Sequence, residues 1–346
     1  MLIKRNFGLL KYQESMKGFY LVLFLEVILF SCNQKKYPVG IFPEEAVNLS
    51  VVNSSSDDMN SDIPTINHEV NLIFSSNRIG SQPNHYNLVE SSLVFYWDKS
   101  EGILSVNKGN TSFDTSIRDW VKKTESTFNE KGPYSFSDSN NDKFLLFSRD
   151  NETGIYSIHL EPESSNISEV KGNISFRVLD DFSNEMYPSF YGKDFLKGAG
   201  VESQGKVEKM LFTSDKDGTF DIYEVDIPAN SNPIELLIGE TEKNIKKLSI
   251  NTTANEHMPF VYGDILVFSS DRPGGLGGFD LYYSLKTADG WTEPENFGPK
   301  VNSEFDEYRP VVSDHPEFSN RVMIFSSNRP GGLGGFDLYF VGIPKF

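Results

Sequence analysis

Phe268 to Tyr282 reads FSSDRPGGLGGFDLY, and Phe325 to Tyr339 reads FSSNRPGGLGGFDLY. The two stretches differ at one position, Asp271 against Asn328, and begin 57 residues apart. Near-identity over such a length within one chain marks a copied structural unit, and the number of copies then decides the architecture.

Three signatures recur in a constant order. The first is an Asn/Asp-Glu-x-x-Pro box, at Asn129-Glu130, Asn184-Glu185, Asn255-Glu256 and Asp306-Glu307, closing on Pro133, Pro188, Pro259 and Pro310. A degenerate copy, Asn60-Ser61-x-x-Pro64, leads them. The second is an apolar run ending in Phe-Ser or Phe-Thr, at 72–78, 145–150, 211–218, 266–272 and 323–329. The third is an aromatic run, at 86–89, 154–158, 220–225, 279–284 and 336–341.

Each signature has a physical reading. Asn or Asp followed shortly by Pro favours a turn and then an extended entry. Ile265-Leu266-Val267-Phe268 suits a strand buried on both faces. Ser-Ser-Asp-Arg-Pro-Gly-Gly is turn chemistry, and Phe-Asp-Leu-Tyr is an alternating aromatic strand. A weaker fourth strand follows in places, as at Trp291 to Phe297. Four strands per unit and five units describe an all-β chain, a β-propeller of five four-stranded blades.

The last copy ends after its third strand. Glu44 to Leu49, followed by Val52-Asn53, lines up with Glu293 to Phe297, followed by Val301-Asn302. The N-terminal segment is therefore expected to supply the missing strand and close the ring, which removes free sheet edges. Two insertions lengthen the repeat: residues 197–204 (KGAGVESQ), read as a loop, and residues 92–128. In the latter, Leu93 to Val106 resembles another hairpin and Asp119 to Phe128 a short helix, which leaves a sixth, eroded blade open. Residues 53–62 (NSSSDDMNSD) read as a solvated loop.

The chain has 346 residues and a formal charge of −17, with residues 1–31 at +2 and the remainder at −19. Such a surface repels nucleic acid. The single cysteine, Cys32, forms no intrachain disulfide and no cysteine metal site. It follows an apolar run, Gly18 to Phe30, that is too short to span a membrane and has the length of a signal-peptide core. Residues 1–31 read as a signal peptide, Cys32 as a lipid-attachment site, 32–43 as a tether and 44–346 as the propeller. Leu29-Phe30-Ser31-Cys32 resembles a bacterial lipobox, and the basic Asn33-Gln34-Lys35-Lys36 that follows favours the periplasmic face of an outer membrane.

The three signatures resemble the TolB-type, WD-like β-propeller repeat, over residues 44–346. That repeat is common in lipoproteins of Bacteroidota and in propeller domains of OmpA-family envelope proteins. The resemblance implies a lipid-anchored module of the cell envelope, with an envelope protein or a glycan as partner.

The glycine run Gly274 to Gly278 is not a phosphate loop, because no Lys-Ser/Thr follows and the setting is strand to strand. Nor does it match a calcium-binding nonapeptide, since Asp280 comes one place late. Glu130, Glu185, Glu256 and Glu307 hold equivalent places before the innermost strand. They suggest a ring of carboxylates at one mouth of the channel, which either binds a cation or serves the blades themselves. His257, Tyr308 and Arg309 break the repeat inside the box and are the candidate binding residues at the same mouth. Lys131, Gly132, Met186 and Tyr187 fill the same variable positions. No histidine has a partner at metal-ligand spacing, no cofactor motif is present, and neither a Gly-x-Ser-x-Gly elbow nor HExxH occurs. The sequence thus leads to the expectation of a non-catalytic binding or scaffold module, no enzyme. The alternative is a carbohydrate-active propeller, glycan-binding or glycosidase, using channel carboxylates.

Overall fold

A computed structural model describes residues 38–66, 69–78, 85–110, 115–164, 172–197 and 205–346. The signal-like segment, Cys32 and the first part of the tether lie outside the described residues, as do residues 198–204 of the second insertion.

Five antiparallel sheets follow one another along the chain. Blade 1 comprises Asp58–Ile66, Val70–Ser76, Asn87–Asp98 and Ile103–Lys108. Blade 2 comprises Glu130–Ser137, Lys143–Arg149, Ser157–Pro162 and Ile174–Phe176. Blade 3 comprises Glu185–Tyr191, Lys209–Ser214, Asp221–Asp226 and Ile245–Lys247. Blade 4 has Glu256–Tyr262, Ile265–Ser270 and Asp280–Thr287, with two short outer pieces, Gly290–Trp291 and Glu295–Asn296. Blade 5 has Glu307–Ser313, Arg321–Ser327 and Asp337–Ile343.

The fourth strand of blade 5 is Val47–Asn48, which pairs antiparallel with Tyr339 and Phe340. Asn48 sits opposite Tyr339 as Asn296 sits opposite Tyr282, so the expected alignment and ring closure hold. First strands of successive blades pack side by side, and the last packs on the first. They line the axis. The stretch expected as tether is packed from Gly40 on: Phe42 is fully buried, and its ring stacks 3.8 Å from that of Phe318.

The second strands are the apolar centre of each blade. Phe74, Phe147, Phe212, Phe268 and Phe325, the phenylalanines of the second signature, are all fully buried. Burying such a ring contributes about 1.5–3 kcal/mol.

Four readings are corrected. No sixth blade exists among the described residues. Leu93 to Val106 belongs to the long third strand and the fourth strand of blade 1. The insertion's helix is Thr115–Lys122, earlier than expected, and it seats Ile117, Trp120 and Val121 against Ile73, Leu88, Leu145 and Phe147 of blades 1 and 2. Residues 58–62 are no solvated loop either. They begin the innermost strand of blade 1, with Asp58, Asn60, Ser61 and Asp62 fully buried. Finally, the first copy of the box is Asp57-Asp58-Met59-Asn60-Ser61, three residues before the degenerate copy, because Asp58 pairs with Ser76 as Glu256 pairs with Ser270.

The box and the strand-two turn form a clasp repeated in every blade. In blade 4 the Asn255 amide N–H donates to Asp271 Oδ1 (2.7 Å), and Asn255 Nδ2 donates to Asp271 Oδ2 (2.8 Å). The same two bonds join Asn129 to Asp150 and Asn184 to Asp215. In blades 5 and 1 the acid and the amide exchange places, as Asp306 with Asn328 and Asp57 with Asn77. The single difference between the two long copies, Asp271 against Asn328, is therefore half of a compensated swap whose other half is Asn255 against Asp306.

The clasp also joins blades. Its first residue accepts the backbone N–H of the aromatic that opens the third strand of the preceding blade. Phe336 donates to Asp57 (3.0 Å), Tyr86 to Asn129 (3.0 Å), Tyr156 to Asn184 (2.8 Å), Phe220 to Asn255 (3.0 Å) and Phe279 to Asp306 (2.9 Å).

The glycine run serves the same seam. Leu276 and Gly277 donate their amides to Asp280 (2.7 and 3.1 Å). A Cβ on Gly277 would stand 2.1 Å from the carbonyl oxygen of Phe305 in the loop entering the next blade. Only glycine allows that approach.

Asn255→Asp alone places two carboxylates face to face, and Asp271→Asn alone places two amide groups donor to donor. Each is expected to lower stability by about 1–2 kcal/mol, measured by urea unfolding. The double substitution recreates the pair of blade 5 and is expected to recover most of the loss. Additive losses in the double variant would refute the clasp.

Candidate functional site

The mouth of the axial channel is built from three positions of each box. The first is the carboxylate that opens the innermost strand: Asp58, Glu130, Glu185, Glu256 and Glu307, all fully buried. Glu256 accepts from Thr252 N (2.6 Å), Thr252 Oγ1 (2.8 Å), Ser270 Oγ (2.9 Å) and Arg272 Nη2 (3.0 Å). Glu307 repeats the set with Ser303, Ser327 and Arg329. Asp58 binds Ser54, Ser76 and Arg78. Glu185 accepts three backbone amides, from Val178, Leu179 and Asp180 (2.7, 3.0 and 3.2 Å). The arginine of the second signature supplies the counter-charge in four blades. In those blades it also donates to a carbonyl of the loop entering the blade, on Val52, Thr124, Ile250 or Val301.

Glu130 departs from its equivalents. It is held by Ser126 Oγ (2.5 Å) and Arg149 Nε (2.9 Å), but its Oε2 has no hydrogen-bond partner. Burial pushes its carboxyl up to about 7 against the opposing pull of Ser126 and Arg149. Burial also raises Glu185 and Glu307.

The second position follows the carboxylate: Met59, Lys131, Met186, His257 and Tyr308. These side chains interleave with the five aromatics that open the third strands, Tyr86, Tyr156, Phe220, Phe279 and Phe336, all partly exposed. His257 stacks on Phe220 with ring centroids 4.2 Å apart, and Tyr187 meets it edge-on at 4.9 Å. Tyr308 lies against Phe279 at 5.2 Å and Phe336 at 5.3 Å. The Lys131 ammonium sits 4.6 Å from the ring centroid of Tyr86 and 5.9 Å from that of Tyr156. Met186, Tyr187 and Met258 form an apolar floor, with Tyr156, Phe220 and Tyr308 packed on it.

The third position is a bulge. Asn60, Gly132, Tyr187, Met258 and Arg309 all have φ between 45° and 60°, and the strand register shifts at each. A left-handed residue other than glycine costs about 1–3 kcal/mol and persists only where its surroundings hold it. In four blades a proline follows, placed where the bulged strand needs no N–H for its ladder. The bulge turns these side chains onto the axis. Asn60 Nδ2 reaches the Tyr187 hydroxyl (3.4 Å), and a Cβ on Gly132 would stand 2.3 Å from the Tyr187 ring.

Arg309 crosses the axis and is fully buried. Its guanidinium donates to the carbonyls of Pro259 (3.3 Å) and Pro133 (3.2 Å) and lies over Tyr187. Below it, Asp62 holds Lys197 Nζ at 2.8 Å and accepts from Ser135 N and Oγ. Lys197, the first residue of the second insertion, reaches the axis and is buried there. Burial lowers both Arg309 and Lys197.

The structure thus separates the expected site residues. Tyr308 and His257 stand at the mouth, with His257 largely buried. Arg309 lies deeper, in the axis. The four glutamates sit behind the mouth and bind their own blades. His257 is pushed down to about 3, by burial first and then by the charges of Lys131 and Arg309, so it is a neutral imidazole. Among the described residues no group of His, Cys, Asp and Glu is placed to hold a metal ion. The residues that sequence reasoning missed are the five aromatics. Their signal was present, an aromatic at one fixed place in every third signature, but it read as strand propensity.

No protein-family model matches the chain, and no curated protein matches it significantly in sequence. Solved structures match in fold. One titled glycoside hydrolase has a TM-score of 0.51 at 8% identity, covering 89% of this chain and 93% of its own. A thermostable family-43 glycoside hydrolase has a TM-score of 0.50 at 12% identity, covering 84% and 91%. TolB from Acinetobacter baumannii scores 0.37 at 13% identity, covering 82% of this chain and 55% of its own, too distant to carry an argument. Of the TolB-type resemblance, the β-propeller fold stands. The expectation of a non-catalytic scaffold that is no enzyme is corrected: the two solved propellers that match with TM-scores of 0.50 and 0.51 are glycoside hydrolases. At such identities the likeness is one of fold.

Between pH 4.5 and about 7 the folded chain keeps a proton on Glu130 that the unfolded chain releases. Stability from this group is full below that window and is lost as pH rises through it, by at most about 3 kcal/mol. The melting temperature is expected to fall from about pH 5 to about pH 8, and Glu130→Gln to flatten that slope. An unchanged slope in the variant would assign it elsewhere.

Proposed function

We infer that the chain is a carbohydrate-active propeller that takes an oligosaccharide in its axial mouth. The observation that carries this is the ring of five partly exposed aromatics, one from each blade, around an apolar floor. Pyranose and furanose rings present C–H faces that pack on aromatic faces, while their hydroxyls keep contact with water and polar groups at the rim. A concave, mostly apolar site with a few polar groups is the usual form of a small-ligand site. The fold shared with glycoside hydrolases supports the same substrate class, as analogy. Contact with sugar falls to the aromatics and to Tyr308. The glutamates first considered for this role are buried behind them.

The cellular setting belongs to the same proposal. The apolar run before Cys32 supports lipid attachment there, and the repeat signatures support a TolB-type envelope protein of Bacteroidota. The basic residues after Cys32 favour the periplasmic face of the outer membrane.

Titration with neutral pentose and hexose oligosaccharides by calorimetry, followed by reducing-end analysis of the mixtures for cleavage, tests the assignment. Binding is expected, and Tyr156→Ala and Phe279→Ala are each expected to weaken it about tenfold by removing buried ring surface. No binding by any oligosaccharide, or binding that neither variant changes, would overturn it.

A further inference from the structure

Lys131 is the feature of the mouth that the repeat does not explain. Its equivalents are Met59, Met186, His257 and Tyr308, so no clasp or seam calls for a cation at this position. The arginines of the second signature, Arg78, Arg149, Arg272 and Arg329, each bind the carboxylate of their own blade. Among the described residues Lys131 has no carboxylate within ion-pair distance. Its ammonium is held by the faces of Tyr86 and Tyr156, two members of the aromatic ring. A methionine would cover those rings as well, at less desolvation cost.

The charged groups facing Lys131 are few. Asp57 and Asp150 are the nearest acids. Asp150 has both oxygens on Asn129, and Asp57 is engaged by the Tyr86 hydroxyl, Asn77 and the Phe336 amide. On the inner side stand neutral His257 and the Arg309 guanidinium. In a chain of net charge −17, Lys131 is a cation at a place where the other blades carry Met, His or Tyr. That charge sits beside apolar walls of low dielectric, where a charge-assisted hydrogen bond is strong.

We propose that the mouth takes an acidic oligosaccharide, with the carboxylate of a uronic acid residue seated on Lys131 between Tyr86 and Tyr156. The sugar ring bearing it packs on the aromatic ring of the mouth. This rests on the glycan assignment above and narrows it to one class.

The test uses a matched pair: an oligogalacturonate and the same oligosaccharide with its carboxyl groups reduced to neutral galactose. Calorimetry is run on the wild-type chain, Lys131→Met and Lys131→Arg, with melting curves as the control for folding. The wild type is expected to bind the uronate about tenfold or more tightly than the neutral form. Lys131→Met is expected to lose that preference, so that it binds the two forms alike, and Lys131→Arg to retain the preference. Equal binding of the pair by the wild type, a preference that survives Lys131→Met, or stronger binding of a sulfated oligosaccharide would overturn the inference. Binding of neither glycan would remove the glycan assignment itself.

Discussion

Everything at the mouth depends on one small interaction, the reciprocal pair of an amide and an acid that joins the entry of each innermost strand to the end of the second. The pair fixes the turn between them by two hydrogen bonds. Its remaining oxygen then takes the backbone N–H of an aromatic from the preceding blade, so each clasp belongs to two blades. Because Phe336 of the last blade donates to Asp57 of the first, the same bond that links neighbours also shuts the ring. A seam made of identical short-range contacts gives each blade only its neighbours to satisfy, which is how repeat folds gain stability.

The clasp positions two further features that pure strand geometry would not provide. It sets the aromatic residue at the inner end of the third strand, where five of them surround the axis. It also anchors the carboxylate and arginine that hold the innermost strand in place, two residues before the bulge. With that anchor, bulky residues such as Tyr187, Met258 and Arg309 are held in left-handed conformations and turned inward. The result is an axis filled at its centre by side chains, with the partly exposed aromatics ringed about one end.

Much of this fold was legible because its signals are local and repeated. The Phe-Ser strand ends, the glycine run and the missing last strand all follow from spacing, and the closure by Val47–Asn48 could be read from one alignment within the chain. The first blade was not legible in the same way. Its box carries Ser61 in place of proline and Asp58 in place of glutamate, and a run of polar residues looks like a loop when its partners, Arg78 and Lys197, are far away in sequence. The site was half legible. His257, Tyr308 and Arg309 stood out as departures from the repeat, yet sequence alone could not show that the backbone bulge sends Arg309 to the axis and leaves Tyr308 at the surface. The glutamates drew attention because they recur, and recurrence turned out to mark blade structure. Lys131 and the aromatics gain meaning only when five blades bring them to one place.

The central claim is that the aromatic mouth, and not another surface, receives the sugar. The outer groove between blades 3 and 4, lined by Tyr191, Lys286 and Trp291, is the competing surface with aromatic character. A crystal structure of the chain grown with a bound trisaccharide decides between them. Sugar rings in contact with Tyr86, Tyr156 and Phe220, above the floor of Met186 and Tyr187, are the predicted result. Sugar ordered in the outer groove with the mouth free of it would contradict the account.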